Sequence, residues 1–310
     1  MMDREELELF RASLRQAIAG QTGKALDDAL DELGWRDALA SDRRAAVSTL
    51  FELQGSANAA SSALDLVLAK SMNVDAAVVL PPLGRVDPPG EVTGESVSVH
   101  GLGTAALERG DKAVVACEDA VVVVDTKDLT LRPVGGIDPS IELVEVSGDR
   151  VCSTTQPASI WPGAVAAGQL ALAHELVGAS RATLQLAREH AVERIQFGRP
   201  IAAFQAVRHR MADSLVAIEA ASAALDAAWE DGSALTAGLA KAIAGRSART
   251  VARHCQQVLA GIGFTAEHPF HRYLRRTLVL DGLLGDTRSL THQLGEDLFK
   301  TRRLPSVLPL

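Results

Sequence analysis

The sequence predicts an α+β protein that is mainly α. It has N-terminal helices, a small middle β sheet or barrel, and a C-terminal four-helix bundle. Three observations carry this. Apolar residues recur at steps of three and four from Arg4 to about Met72. The same period returns from Trp161 to Arg303. Between them lie short valine-rich runs separated by Gly, Pro and Asp.

In the first zone, Leu7, Phe10, Leu14 and Ile18 share a helical face, and Leu26, Leu30 and Leu33 continue the pattern up to Gly34. Asp42 can cap the next helix, which carries Val47, Leu50, Phe51 and Leu53. The strand candidates are Ala76–Leu80, Val97–Val99, Lys112–Ala116, Ala120–Val124 and Ile141–Val146. No long helix separates them, so a doubly wound α/β sheet is not expected. The helices of the third zone are expected over Ala164–Glu193, Phe204–Trp229, Leu235–Ile262 and Arg275–Lys300. The three zones are placed at 1–73, 74–160 and 161–310.

The chain of 310 residues is 47% hydrophobic and 23% charged, which suits a folded chain of about two domains. With 39 acidic and 31 basic residues, its net charge of −8 argues against a nucleic-acid partner. An aromatic share of 4% argues against stacking platforms for bases or sugars. Cys117, Cys152 and Cys255 lie far apart with no CxxC, so small buried hydrophobes in a reducing compartment are expected. No apolar stretch follows Met1, and no run of 18 apolar residues occurs. The expectation is a cytoplasmic protein with no membrane span.

Several motifs fail their structural context. Gly261-Ile262-Gly263 lacks the preceding strand of a dinucleotide fingerprint and reads as a helix C-terminal turn whose glycines permit positive φ. His268 and His271 flank Pro269 without further ligands, and His174-Glu175 lacks a second histidine, so no metal site is expected. No GxSxG and no GxxxxGK[ST] occurs. The basic cluster from His271 to Arg276 reads either as a solvated helix start or as an anion site or subunit contact.

The stretch Arg194-Ile-Gln196-Phe-Gly-Arg-Pro-Ile-Ala-Ala-Phe204-Gln205 resembles the R-x-Q-F-G-x-P-I-x-x-F-Q signature of the acyl-CoA dehydrogenase family. Glu175-Leu-Val-Gly178 and Arg181 to Glu193 resemble its first bundle helix. Gln257-Val-Leu-Ala-Gly261-Ile-Gly-Phe resembles its Q-V-L-G-G-x-G-[YF] turn. Glu267-His-Pro269-Phe-His-Arg272-Tyr-Leu-Arg275-Arg276 resembles E-x-P-x-x-R-x-x-R-D, with arginine in place of the last aspartate. Glu32-Leu-Gly-Trp35 resembles its E-L-G-W. The resemblance is clear over the last half, partial in the middle and thin at the front.

The resemblance implies FAD as cofactor, with its ADP part reaching the bundle of a neighbouring subunit. The residues matching the ADP-side motif are Arg194, Gln196, Phe204, Gln205, Gln257 and Gly261. Arginine suits a pyrophosphate and a glycine turn suits close backbone approach. The family's proton-abstracting glutamate falls at Leu284, and the alternative place used by some members falls at Gly168. Neither is a carboxylate. The T-E-P-x-A-G-S-D loop has no counterpart before Val97, and the middle zone has no aromatic residue for a flavin contact.

That pattern resembles the short subunit of heteromeric α2β2 acyl-CoA dehydrogenases of actinobacterial steroid catabolism. It implies a full-length partner that supplies the base and binds most of the acyl-CoA, with FAD shared between subunits. Two other readings stay open here. One is an active homo-oligomer with a relocated base, Asp281 or Asp286 against the plain reading of helix-surface carboxylates. The other is a non-enzymatic scaffold module.

Overall fold

A computed structural model describes residues 2–94, 96–151 and 154–302. Asp3 opens α1 (Arg4–Ile18) through a capping box with Glu6. There follow α2 (Lys24–Glu32), α3 (Trp35–Ser41), α4 (Arg43–Ala57) and α5 (Ala63–Met72). Gly34 takes a left-handed conformation between α2 and α3, and the Asp42 carboxylate accepts the Ala45 N–H at the start of α4.

The middle zone contains β1 (Ala77–Val78), β2 (Gly90–Thr93), β3 (Ser96–Gly103), α6 (Ala106–Arg109), β4 (Lys112–Ala116), β5 (Ala120–Asp125), β6 (Thr130–Pro133), β7 (Val144–Val151) and β8 (Thr154–Pro157). They form two four-stranded sheets, ordered β1-β4-β5-β8 and β2-β3-β7-β6. Pairing is antiparallel except between β1 and β4. Ala113 and Val115 face the core between the sheets, whereas Val114 and Ala116 face the core shared with the helices. A strand buried on both faces needs no polar alternation, which explains the continuous valine runs.

Three strands, β2, β6 and β8, are absent from the sequence expectation, and all three are edge strands. β2 and β6 are largely exposed, so no apolar pattern marks them. The expected run Ile141–Val146 is also corrected. Pro139–Ile141 is a 3-10 turn, and the strand begins at Val144. Cys117 and Cys255 are buried, and Cys152 lies outside the described residues.

The third zone contains α7 (Trp161–Glu193), a short hairpin of β9 (Ile195–Gln196) and β10 (Arg199–Pro200), then α8 (Gln205–Asp231), α9 (Ala234–Leu259), α10 (Phe270–Gly282) and α11 (Thr287–Thr301). The single last helix expected over Arg275–Lys300 is therefore two. The break is built from distant residues. Leu284 and Gly285 have φ of 54° and 92°. Buried Lys241 on α9 donates to the carbonyls of Asp281 (2.9 Å) and Gly285 (3.1 Å). Gln169 on α7 donates to the Leu284 carbonyl at 3.0 Å. These donors satisfy helix-end carbonyls that would otherwise be orphaned. Among the described residues, no helix is long and apolar enough to cross a membrane.

Where α4 crosses α7, backbone meets backbone. A Cβ on Gly178 would collide with the Glu52 carbonyl, and one on Gly55 with the Glu175 carbonyl. Gly178→Ala should therefore lower stability by about 3 kcal/mol, read from the denaturant midpoint. Asp65 on α5 anchors the sheets: it accepts the Val78 N–H (2.9 Å) and the Thr104 hydroxyl (2.6 Å). Burial pushes its carboxyl up to about 6 against those two hydrogen bonds. A raised folded value means that protonation favours the fold. The contribution is complete below about pH 4 and lost by about pH 6. Asp65→Asn should thus gain stability relative to the wild type as pH rises through that window, measured by urea midpoints at several pH values.

Candidate functional site

Leu284 and Gly168, the two positions expected for the base, meet in space. Leu284 Cδ1 lies 2.5 Å from where a Cβ on Gly168 would stand, and Leu68 Cδ2 lies 2.9 Å from it. Leu64 completes the contact. Leu284 is fully buried. The spot where a carboxylate would face a substrate is thus a dry aliphatic cluster.

The surrounding seam is closed as well. The Gly84 N–H donates to the Gly282 carbonyl at 2.7 Å, so the segment before β2 is tied onto the α10–α11 turn. Leu83 packs at Gly282 and Val86 at Gly285. Beside Leu64, Leu172, Leu280 and Leu283 only about 20 Å³ of cavity remains. That holds a single water and no acyl chain.

The same seam contains Arg276, fully buried near the end of the basic cluster. It donates to Asp138 at 2.6 Å, to Ser140 at 3.2 Å, to Glu175 at 3.4 Å and to the Ala59 carbonyl. Arg276 is therefore neither solvated nor an open anion site, which corrects both sequence readings at this residue. Two carboxylates share one guanidinium. Glu175, the more distant, is pushed up by burial against the pull of Arg276 and Gln54.

Asp281 is also not a surface carboxylate. It is buried, pairs with Arg249 and accepts the Thr287 hydroxyl at 2.6 Å. Asp286 caps α11 by accepting the Ser289 N–H at 2.6 Å, which holds its carboxyl below the usual range despite partial burial. Both are engaged in holding the turn. His174, with Nδ1 3.0 Å from Glu52 and Nε2 accepting the Trp229 indole N–H at 3.0 Å, is an internal link between helices. No metal-binding group of His, Cys, Asp and Glu occurs among the described residues.

The six ADP-side residues lie at one end of the bundle. Arg194, Gln196, Phe204 and Gln205 belong to the α7–α8 connection, and Gln257 and Gly261 to the end of α9 and the turn after it. The helices run alternately up and down, so both connections share an end, where His190 and His268 are close enough to repel. The side chains of Arg194, Gln196, Gln205 and Gln257 are exposed and make no hydrogen bond or ion pair with the described residues. An added Cβ on Gly261 would meet nothing within 4 Å. The positive φ of this turn falls on Ala260 (53°), not on a glycine, which corrects the sequence reading. Gly261 thus leaves backbone open without being needed for chain reversal.

Two residues of the motif were not among the cofactor contacts expected from sequence. Phe197 and Gly198, with φ of 53° and 77°, form the tip of the β9–β10 hairpin. Phe197 is held in a region disfavoured for its type and is 90% exposed. Its ring meets Phe204 edge-on at 6.0 Å, and the Arg199 guanidinium lies 4.3 Å from the Phe204 centroid. Unpaired donors, an aromatic face and open backbone at one end fit the ADP half of a dinucleotide. The closed seam at Leu284 does not fit the catalytic half.

Residues 163–299 match the model of the acyl-CoA dehydrogenase C-terminal domain. Acyl-CoA dehydrogenase IpdE2 of Mycobacterium tuberculosis is 30% identical over 325 aligned residues, covering 96% of this chain and 98% of that protein. Among solved structures, the Tcur3481-Tcur3483 steroid ACAD G363A variant matches with a TM-score of 0.82 at 22% identity, over 96% of this chain and 99% of that one. The ChsE4-ChsE5 complex from Mycobacterium tuberculosis matches with a TM-score of 0.78 at 19% identity, over 98% of this chain and 99% of that one. These two likenesses are of fold.

An acid at position 284 should not be accommodated. Leu284→Glu places a charge among Leu64, Leu68 and the α7 backbone, where Lys241 and Gln169 are already spent on the carbonyls of the turn. The expected loss is about 3 kcal/mol or more by chemical denaturation, with no gain of dehydrogenase activity.

Proposed function

The chain belongs to the acyl-CoA dehydrogenase family, whose fold is FAD-dependent in general, and from that premise we propose that it is the supporting subunit of a heteromeric acyl-CoA dehydrogenase. A full-length partner carries the base and holds most of the acyl-CoA. This chain contributes the ADP-side surface for FAD, through Arg194, Gln196, Phe204, Gln205, Gln257 and Gly261, and the bundle on which the assembly is built. The observation that carries the reading is the aliphatic contact between Leu284 and Gly168. General-base catalysis requires a titratable group within hydrogen-bond reach of the proton it takes. Both places for it are filled by hydrocarbon.

FAD supplies the hydride acceptor when bound. This chain's part is to orient and bind: Arg194 would hold the diphosphate, and the Phe204 ring with Arg199 would hold a flat base. A complex of two named chains and a steroid ACAD among the structural relatives support a heteromeric assembly and a steroid-derived acyl thioester as substrate class. The exposed Phe197 supports burial of this end against a second subunit.

The chain should be purified alone and co-expressed with a full-length homologue encoded beside its gene, recording visible flavin absorbance and mass. A yellow complex from co-expression and a colourless chain alone are expected. A flavin-loaded oligomer of this chain alone, reduced on adding an acyl-CoA, would overturn the reading. In the complex, Arg194→Ala should lower flavin occupancy at unchanged subunit mass, because a charged pyrophosphate donor is lost.

A further inference from the structure

A second cavity, of about 510 Å³, opens on the far side of the Leu284 turn between α7, α9 and α11. That volume lies within the range of small-molecule pockets. Trp161, Val165, Leu239, Ile243, Leu290 and Leu294 supply apolar walls. Polar groups line the cavity as well, Gln169, Arg246, Thr291 and Asp297 among them. Gln169 is 4% exposed, and its Nε2 is spent on the Leu284 carbonyl. Its Oε1, 3.6 Å from where a Cβ of Gly238 would stand, accepts no hydrogen bond from the described residues. The buried Trp161 indole N–H has no acceptor. Arg246 lines the same cavity and has no ion pair among the described residues.

The spacing of these groups selects a ligand. Gly238, beside the Gln169 acceptor, and Arg246 are eight residues apart on α9. At 1.5 Å per residue they stand about 12 Å apart along the helix. The amide oxygen, open to the groove, can accept from a hydroxyl, and the exposed Arg246 guanidinium can receive an anion. We propose that this groove binds an apolar carboxylate bearing a hydroxyl about 12 Å from its acid, with the hydroxyl on Gln169, the acid on Arg246 and the hydrocarbon on the walls. Every group of this site belongs to this chain. The inference therefore does not rest on the supporting-subunit reading.

The test is calorimetric titration of the full chain with 10-hydroxydecanoate, whose ends lie at about that separation when extended. Saturable binding at one site per chain is expected. Decanoate, lacking the hydroxyl, and 1,10-decanediol, lacking the acid, should each bind about tenfold more weakly. Arg246→Gln should weaken the hydroxy acid by about tenfold and leave the diol unchanged. Gly238→Leu, which fills the groove from an open helix position, should abolish binding. Absence of saturable binding, or equal binding by Gly238→Leu, would overturn the site and leave the groove to a protein segment. Equal affinity for decanoate would overturn the role given to Gln169.

Discussion

The seam between the three zones depends on one buried guanidinium. Arg276 sits on α10, yet its partners come from the loop after β6 (Asp138, Ser140), from α7 (Glu175) and from the end of α4 (Ala59). It therefore joins the N-terminal helices, the sheets and the bundle at one point. A buried charge is tolerated only when paired and hydrogen-bonded, and removing one partner leaves the others uncompensated. The network is demanding in a way an apolar seam is not: the zones must meet in one register for all its bonds to form.

That register sets the neighbouring surfaces. With α4 held on α7 through Gly55 and Gly178, the helices lie close enough that Leu64 and Leu68 of α5 reach Gly168. Leu284 then completes the aliphatic cluster from the opposite side, its carbonyl held by Gln169. The turn that carries Leu284 keeps an elaborate support, with Lys241, Gln169, Asp281 and Asp286 all committed to it. What it presents is a leucine. The turn is held by many polar groups around a residue that cannot exchange protons.

The two ends of the α7 helix accordingly have opposite characters. Around Gly168 and Leu284 its contacts are aliphatic and closed. At its C-terminal end Arg194, Gln196, Phe197 and Arg199 stand in the open. Leaving Phe197 exposed in a left-handed conformation has a cost for an isolated chain. That cost is offset when another surface covers it.

The sequence alone determined the zone order, the Asp42 cap and the family motifs. Periodicity, glycines and caps act over a few residues and are visible locally. It also determined that Leu284 and Gly168 carry no acid, since identity needs no coordinates. Only the tertiary structure decided that these two positions touch, that Arg276 is buried rather than solvated, and that Asp281 pairs with Arg249. Each of these depends on which distant surface comes opposite a residue. The break between α10 and α11 belongs to the same class, because its carbonyls are satisfied by Lys241 and Gln169 from other helices. The edge strands β2 and β6 escaped notice for the converse reason: with little of their surface buried, they bear no pattern for a reader to find.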